Sequence, residues 1–155
     1  MSIAKLELLK EELVGLALAS IHLDYSIVRC SDLLSGKELQ PEQLERLESL
    51  TSRFARLSDL LTQRIFRLFD EIELTGSATV LDRIYRAEKR GWIDATQMIR
   101  VRELRNLIAH EYATEKMTEI YRAVLALAPV LLAAIPKIRA DALVLVNRYT
   151  SDGIK

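Results

Sequence analysis

The stretch FARLSDLLTQRIFRLF, residues 54–69, carries apolar side chains at intervals of three or four positions. Because an α-helix advances about 100° per residue, such intervals place the side chains on one face of a helix. The positions on this face are Phe54, Leu57, Leu61, Ile65 and Leu68. Upstream, Pro41 suits the first turn of a helix, where the missing N–H is not needed. The pattern therefore predicts a helix from Pro41 to about Phe69.

The same periodicity extends in both directions, and no alternating strand pattern competes with it. The further helices predicted are residues 3–30, residues 80–89, a helix that starts near residue 95, residues 115–135 and a last piece from 137 to about 149. Loops are predicted at residues 31–40 and around 74–77. We expect one domain, residues 1–155, with an all-α fold that is a bundle of mostly antiparallel helices.

Local signals mark where several of these helices begin and end. Gly91 is placed to end the helix over residues 80–89 in a left-handed conformation. Asp94 is placed to accept a hydrogen bond from an amide at the start of the next helix. Pro129 and Pro136 lack backbone donors, so we expect the C-terminal helix to be kinked or broken near the first and interrupted at the second.

Composition constrains the location and the class of partner. The 155 residues include 22 basic and 22 acidic side chains, so no global attraction to nucleic acid is expected. Cys30 is the only cysteine; it is predicted to be a buried thiol, and a reducing compartment is expected. Charges interrupt the N-terminus, so no signal peptide is expected, and the longest uncharged run, 123–136, is shorter than a membrane span. We predict a cytoplasmic protein with no membrane partner.

A local excess of positive charge lies between residues 83 and 105. Seven basic residues in this segment stand against three acidic ones, a net charge of +4. The basic residues are Arg83, Arg86, Lys89, Arg90, Arg100, Arg102 and Arg105. Such a cluster is commonly a solvated helix face. Its position directly before the motif described next favours a surface that faces phosphate.

The sequence RNLIAHEY, residues 105–112, joins an arginine, a histidine and a tyrosine near the end of one predicted helix. Arg105 and Tyr112 lie about 20° apart around such a helix, whereas His110 lies about 140° from Arg105. Asn106 is four positions before His110 and could fix its tautomer through a hydrogen bond. One straight helix therefore does not gather the three groups. Either the helix unwinds near His110, or two copies of the motif meet across a symmetric dimer axis.

These side-chain types suit phosphodiester cleavage without a metal ion. A histidine can accept the proton of a ribose 2′-hydroxyl, and an arginine matches two phosphate oxygens. A tyrosine can bind the phosphate or stack on a base. The same side chains at a helix end can instead cap carbonyls or satisfy a core, and their chemistry alone does not separate the two interpretations.

Two further residues belong to the predicted site. Asp59, on an otherwise apolar face of the second helix, either enters the cleft to orient His110 or Arg105 or forms a salt bridge at a helix interface. Arg102, one turn before Arg105, either extends the phosphate surface or pairs with acidic neighbours or solvent.

The string over residues 105–112 matches R-x4-H-x-Y, and in this the chain resembles the HEPN domains, in particular their HepT branch. The similarity covers about residues 50–135, including the basic helix LDRIYRAEKRGWI at 81–93. The resemblance implies a HEPN-like helical bundle, a symmetric homodimer, and an endoribonuclease toxin that cleaves RNA without metal or cofactor. The residues that it implicates are Arg105 and His110 in catalysis, with Asn106 and Tyr112 in support.

The resemblance also implies a protein partner. HepT toxins are paired with a small nucleotidyltransferase antitoxin of the MNT type, and the motif tyrosine, here Tyr112, is the expected site of adenylyl transfer. A bulky, negatively charged nucleotide beside Arg105 would block an RNA phosphate. Two alternatives stay open: a non-catalytic helical subunit that binds substrate for a nucleotidyltransferase, and a scaffold that serves only interactions.

Overall fold

The structure, a computed structural model, describes residues 3–73, 75–76, 78–111 and 114–154. Within these ranges every regular element is a helix and no strand occurs, so the all-α prediction is confirmed. The elements are α1 (Ile3–Cys30), α2 (Pro41–Asp59), a π-helical segment (Leu60–Ile65), α3 (Phe66–Ile72), α4 (Val80–Lys89), α5 (Ala95–His110) and α6 (Thr114–Ile154). The helices α1 and α4 have the predicted bounds, and α5 begins at the predicted residue.

Short-range hydrogen bonds fix the helix ends that the sequence marks. The Asp94 carboxylate accepts a hydrogen bond from the Gln97 N–H at 3.0 Å at the start of α5. At the start of α4, Thr79 and Asp82 bond reciprocally through side chain and backbone, which is a capping box. Gly91 has a φ of 80°, the left-handed conformation expected of the residue that ends α4.

The last helix differs from the prediction, because α6 runs from Thr114 to Ile154 without a break. Pro129 and Pro136 lie inside it, and both are on its exposed side. Each removes a hydrogen bond to the carbonyl four residues earlier, but on the exposed side water can bond to that carbonyl. The opposite side packs into the core before and after the prolines, for example through Ala128 and Ile138, and this packing holds the helix together.

Trp92 joins three parts of the fold. It follows α4, is 1% exposed, and its ring centroid lies 5.7 Å from that of Phe66 and 4.7 Å from that of Phe69. Its Nε1 donates to the Asp141 carboxylate of α6 at 2.6 Å. Trp92 therefore anchors the turn between α4 and α5. The prediction that Cys30 is buried is confirmed.

The second predicted helix contains one departure from α geometry. Over Leu60–Ile65 the hydrogen bonds span five residues, as in the bond from the Phe66 N–H to the Leu61 carbonyl. After Phe66 the hydrogen bonds again span four residues, so the next amide, that of Arg67, pairs with the carbonyl of Gln63. The carbonyl of Thr62, which lies between Leu61 and Gln63, therefore has no backbone partner in the helix. The Arg83 guanidinium of α4 donates to this carbonyl at 3.3 Å. A side chain from another helix therefore supplies the hydrogen bond that the change of spacing removes.

Two helical stretches, Ile3–Cys30 and Lys116–Thr150, are long and apolar enough to cross a membrane by length and composition. The core helices of soluble proteins and the signal sequences of exported ones pass the same test. Only 22% of the apolar window in the first stretch is buried, so α1 carries apolar side chains on its outer side as well as toward the core. This is weak evidence about location, and the cytoplasmic location stays a prediction.

Candidate functional site

Arg105 of α5 is held by Asp59 at the end of α2. The Arg105 Nε and Nη2 atoms each donate to one Asp59 carboxylate oxygen at 2.8 Å, which is the two-pronged geometry that a guanidinium forms best. The side chains are 34% and 41% exposed, so the pair lies at the surface of the helix interface. The hydrogen bonds that Arg105 donates to Asp59, and then the negative charge of Asp59, raise the pKa of Arg105 above its usual value. Of the two alternatives for Asp59, the structure shows the salt bridge at a helix interface; its role in orienting Arg105 for catalysis stays a prediction.

This pair lies at the edge of an open pocket of about 640 Å³. The charged and amide side chains that line the pocket are Arg56, Asp59, Gln63, Arg64, Arg102, Arg105 and Asn106. In the described part of the chain, the residues that line the pocket carry four guanidinium groups and one carboxylate, and Arg64 is also paired with Glu12 outside the lining, which leaves an excess of two positive charges. The same part of the chain contains no group of three or more His, Cys, Asp or Glu that could hold a metal ion. The pocket is suited to an anion.

Arg56 and Arg64 are pocket residues that the sequence analysis missed. Arg56 lies one turn before Asp59, so its position was available from helical spacing. Arg64 follows Asp59 by five positions, which in an α-helix would put it about 140° away. The π-helical segment bonds residues five apart and brings Arg64 to the same side, where it also pairs with Glu12 of α1 at 3.2 Å. No local pattern in the sequence predicts the π-helical segment.

His110 is the last residue of α5 and is exposed, and it does not line the pocket. The helix is regular up to this residue and ends there, so the alternative of a helix that unwinds near His110 stays open beside that of a symmetric dimer. Beyond it, Glu111 is extended, with φ −96° and ψ 130°, and its N–H donates to the Leu107 carbonyl. Tyr112, the predicted modification site, lies outside the described residues. The structure therefore gathers Arg105, Asp59, Arg102 and Asn106 but leaves His110 apart.

A second cavity, of about 290 Å³, lies on the other side of the Arg105–Asp59 pair. Arg56, Asp59 and Arg105 line both cavities, and Ala109 lines the second. Because Ala109 precedes His110, this cavity leads from the arginine pocket toward the end of α5. The two cavities together form a discontinuous groove along the α2–α5 contact.

The basic segment over residues 83–105 divides into two parts with different surroundings. Arg86 and Arg90 bind the carboxylate of Asp70 at 2.9 and 3.0 Å, and Asp70 is 3% exposed. Arg83 donates to the backbone near the π-helical segment. The expectation of one phosphate-facing surface is thus corrected, because a buried carboxylate requires compensating charge and takes two of the arginines. Only Arg102 and Arg105 of this segment line the pocket.

The resemblance of the motif to HEPN domains stays a prediction. No protein-family model, no curated protein and no solved structure matches the chain. The structure itself establishes an all-α fold and an arginine-lined pocket that includes the motif arginine.

Proposed function

We propose that this chain is the toxin of a HEPN–MNT toxin–antitoxin pair, a cytoplasmic endoribonuclease that cleaves RNA without a metal ion or cofactor. The observation that carries the proposal is the surrounding of Arg105. The side chain of the motif arginine lines a pocket of about 640 Å³, and the guanidinium groups of three further arginines line the same pocket. An arginine with only a structural role would not require three further arginines around the same pocket.

The pocket chemistry fits a chain of phosphates better than one small anion. Its arginines come from both α2 and α5 and from the π-helical segment between α2 and α3, so their charges are spread along a groove. Guanidinium groups bind phosphate oxygens through paired N–H donors. The amides of Gln63 and Asn106 add neutral donors and acceptors that suit a ribose hydroxyl or a base edge. We infer that a single-stranded RNA segment lies along this groove.

Arg105 keeps the capacity to bind phosphate while Asp59 orients it. A guanidinium has five N–H donors, and Asp59 takes two of them. No other acceptor in the described part of the chain forms a hydrogen bond with this side chain, so three donors are left for phosphate oxygens. Their charge would stabilise the negative oxygens that develop during cleavage.

The cleavage step is assigned to the motif histidine. His110 would accept the proton of a ribose 2′-hydroxyl, whose oxygen would attack the adjacent phosphorus while the bond to the 5′-oxygen breaks and that oxygen takes up a proton. His110 points about 140° away from Arg105 on a regular helix. We therefore pair the histidine of one copy with the Arg105 of a second copy across a twofold axis, which is the role of the predicted homodimer.

Control of this activity is assigned to a nucleotidyltransferase partner of the MNT type. Transfer of an adenylyl group to Tyr112 would add negative charge and bulk close to the motif arginine. The nucleotide phosphate would then compete with RNA for the guanidinium groups, and the base would occupy the groove.

The test is RNA cleavage by the purified protein in the presence of a chelator. We expect cleavage by wild type, and its loss in Arg105→Lys and in His110→Ala. Arg100→Ala is the matched control, because Arg100 is an exposed arginine of α5 that does not line the pocket. Equal cleavage by all four proteins would reveal a contaminating nuclease, and a wild type that cuts no RNA would overturn the proposal.

One observation favours the second candidate, a non-catalytic subunit that binds substrate for a nucleotidyltransferase. His110 does not line the arginine pocket, so the pocket taken alone is an anion-binding site with no general base. Calorimetry with a nucleoside triphosphate separates the two candidates. Tight nucleotide binding that is lost in Arg105→Lys, without RNA cleavage by wild type, would favour the binding subunit.

A further inference from the structure

The helix α1 has two apolar sides, of which the core uses one. Its inner side is buried against the rest of the bundle, for example at Leu9, Leu16 and Leu23, each with no exposed surface. Its outer side carries five large apolar residues that are 53% to 68% exposed. They are Val14, Leu18, Ile21, Tyr25 and Val28, and we call them the α1 seam.

The spacing of the seam indicates a helical partner. Its residues follow one another at intervals of four, three, four and three positions. The mean interval of 3.5 is the repeat with which one helix packs along another in a coiled coil. Leu143 of α6, 61% exposed, extends the seam sideways, because it lines a groove of about 650 Å³ together with Val14 and Leu18.

We propose that the α1 seam is an interface between two copies of this chain, packed antiparallel through their α1 helices. Taking roughly 100 Å² for each half-exposed apolar side chain, the seam and Leu143 offer roughly 600 Å². A standard protein interface buries about 800 Å² on each partner including its polar rim, so one twofold contact of this seam with itself is large enough. A flat apolar strip on one helix is also complementary to itself, as a twofold interface requires.

The charges near the two ends of the seam favour an antiparallel arrangement of the two α1 helices. Glu11 and Glu7 lie in line with the seam, one and two turns before Val14, and Arg29 follows Val28. Lys10 binds Glu7 within each copy at 3.0 Å, so the acidic charge that decides the direction is that of Glu11. Parallel packing would bring the two copies of Glu11 together, which is unfavourable. Antiparallel packing places the Arg29 end of one helix beside the glutamate end of the other.

This interface differs from the pairing of motifs in the proposed function. Among the described residues α1 makes no contact with α5, because α2 packs between them. The seam therefore cannot bring two copies of the motif together, and neither interface depends on the other. If both form and their twofold axes intersect at right angles, they generate a closed assembly of four copies.

The first test is the mass of the full chain by light scattering at tens of micromolar. For a subunit of 17.7 kDa we expect a dimer or tetramer whose mass falls by half in Leu18→Glu and in Ile21→Glu. Leu81→Glu is the matched control, since Leu81 is an apolar residue of α4 with 42% exposure outside the seam. Circular dichroism identifies any variant that fails to fold, and Leu18→Ser then replaces it. Masses that are equal in wild type and seam variants overturn the proposal.

The second test uses a single introduced cysteine to show that the partner is a second copy and that the two α1 helices run antiparallel. Native Cys30 is buried, so a cysteine introduced into the seam is the accessible one for a short bismaleimide reagent. We expect Ile21→Cys, at the middle of the seam, to be cross-linked to its copy. Val28→Cys should not be, because antiparallel packing separates its two copies by about 20 Å. Cross-linking of Val28→Cys alone, or a monomer that sediments only with anionic vesicles, would overturn antiparallel self-association.

Discussion

The Arg105 guanidinium and the Asp59 carboxylate meet through two hydrogen bonds of 2.8 Å, and this pair separates the two cavities of the candidate site. The Asp59 carboxylate thereby holds α5 against α2 and sets the orientation of the Arg105 side chain in the groove. The pair is partly exposed, so its effect on stability is small, about 1 kcal/mol or less. Its effect on activity should be much larger.

Removing the charge of Asp59 should therefore affect catalysis more than folding. Asp59→Asn keeps the size of the side chain but lets the guanidinium rotate, and we expect kcat/KM on a defined RNA to fall roughly 10- to 100-fold. Arg105→Lys should cost about 10²- to 10³-fold, because the paired donors are lost. Urea unfolding should show little change for Asp59→Asn. An Asp59→Asn protein with wild-type activity would contradict the orienting role.

The two arginines that the sequence analysis missed should appear in the salt dependence of binding. Each phosphate contact that is lost lowers the slope of log K against log salt by about 0.7 for a single strand. Arg56→Gln and Arg64→Gln, each made in a His110→Ala background, should show this decrease with labelled RNA in fluorescence anisotropy. Arg100→Gln should keep the full slope. Unchanged slopes in both pocket variants would place the RNA elsewhere.

Asp70 is a site where a single change should destabilise the fold. It is 3% exposed and bound by Arg86 and Arg90. Asp70→Asn leaves Arg86 without its counter-charge and Arg90 with only the Glu73 carboxylate at 3.7 Å, and we expect a loss of about 3 kcal/mol in the free energy of unfolding. Glu71→Gln, which changes an exposed pair, should cost under about 1 kcal/mol. Similar losses for the two variants would argue against the buried network.

Tyr121 gives a prediction for alkaline pH. Burial, and then the charge of Glu48, raise the pKa of Tyr121 above its ordinary value of 10.0. Because the folded-state pKa is the higher one, the unfolded chain releases its proton first as the pH rises. The contribution to stability is therefore complete below about pH 10 and is lost as the pH rises through the folded-state value. Urea unfolding of Tyr121→Phe should show a shallower decline between about pH 9 and 11 than wild type.

Coexpression tests the regulatory part of the proposed function. The chain alone should arrest growth, and a nucleotidyltransferase encoded beside it should relieve the arrest and add an adenylyl mass to Tyr112. Tyr112→Phe should carry no added mass. Relief of the arrest in Tyr112→Phe would show that the partner blocks the site by binding instead of by modification.

Features that depend on neighbouring residues were predictable from the sequence. The bounds of α1 and α4, the cap at Asp94 and the left-handed Gly91 follow from side chains within a few positions. The position of Arg102 one turn before Arg105 left two alternatives open, and the structure places it in the lining of the pocket. In each case the interaction partners lie on the same helix or at its end.

Features that depend on tertiary contacts were not predictable. The unbroken α6 relies on core packing on both sides of Pro129 and Pro136, which outweighs the local cost of a proline. The π-helical segment relies on Arg83, 21 positions from the carbonyl that it binds. The salt bridges of Arg86 and Arg90 with the buried carboxylate of Asp70 likewise form only when α3 and α4 pack together.

The π-helical segment means that the chain between α2 and α3 contains one surplus residue relative to an uninterrupted α-helix. Deleting one residue there would let the ladder close with regular spacing and so would be compatible with folding. Deleting Leu60, for example, would leave Arg64 four positions after Asp59, about 40° away around a regular helix, so Arg64 would stay on the pocket side. The Thr62 carbonyl would rejoin the ladder, and the Arg83 guanidinium would lose the acceptor that it binds at 3.3 Å. The extra residue thus leaves one backbone carbonyl of the long helix available to a side chain of α4 and ties the two helices together.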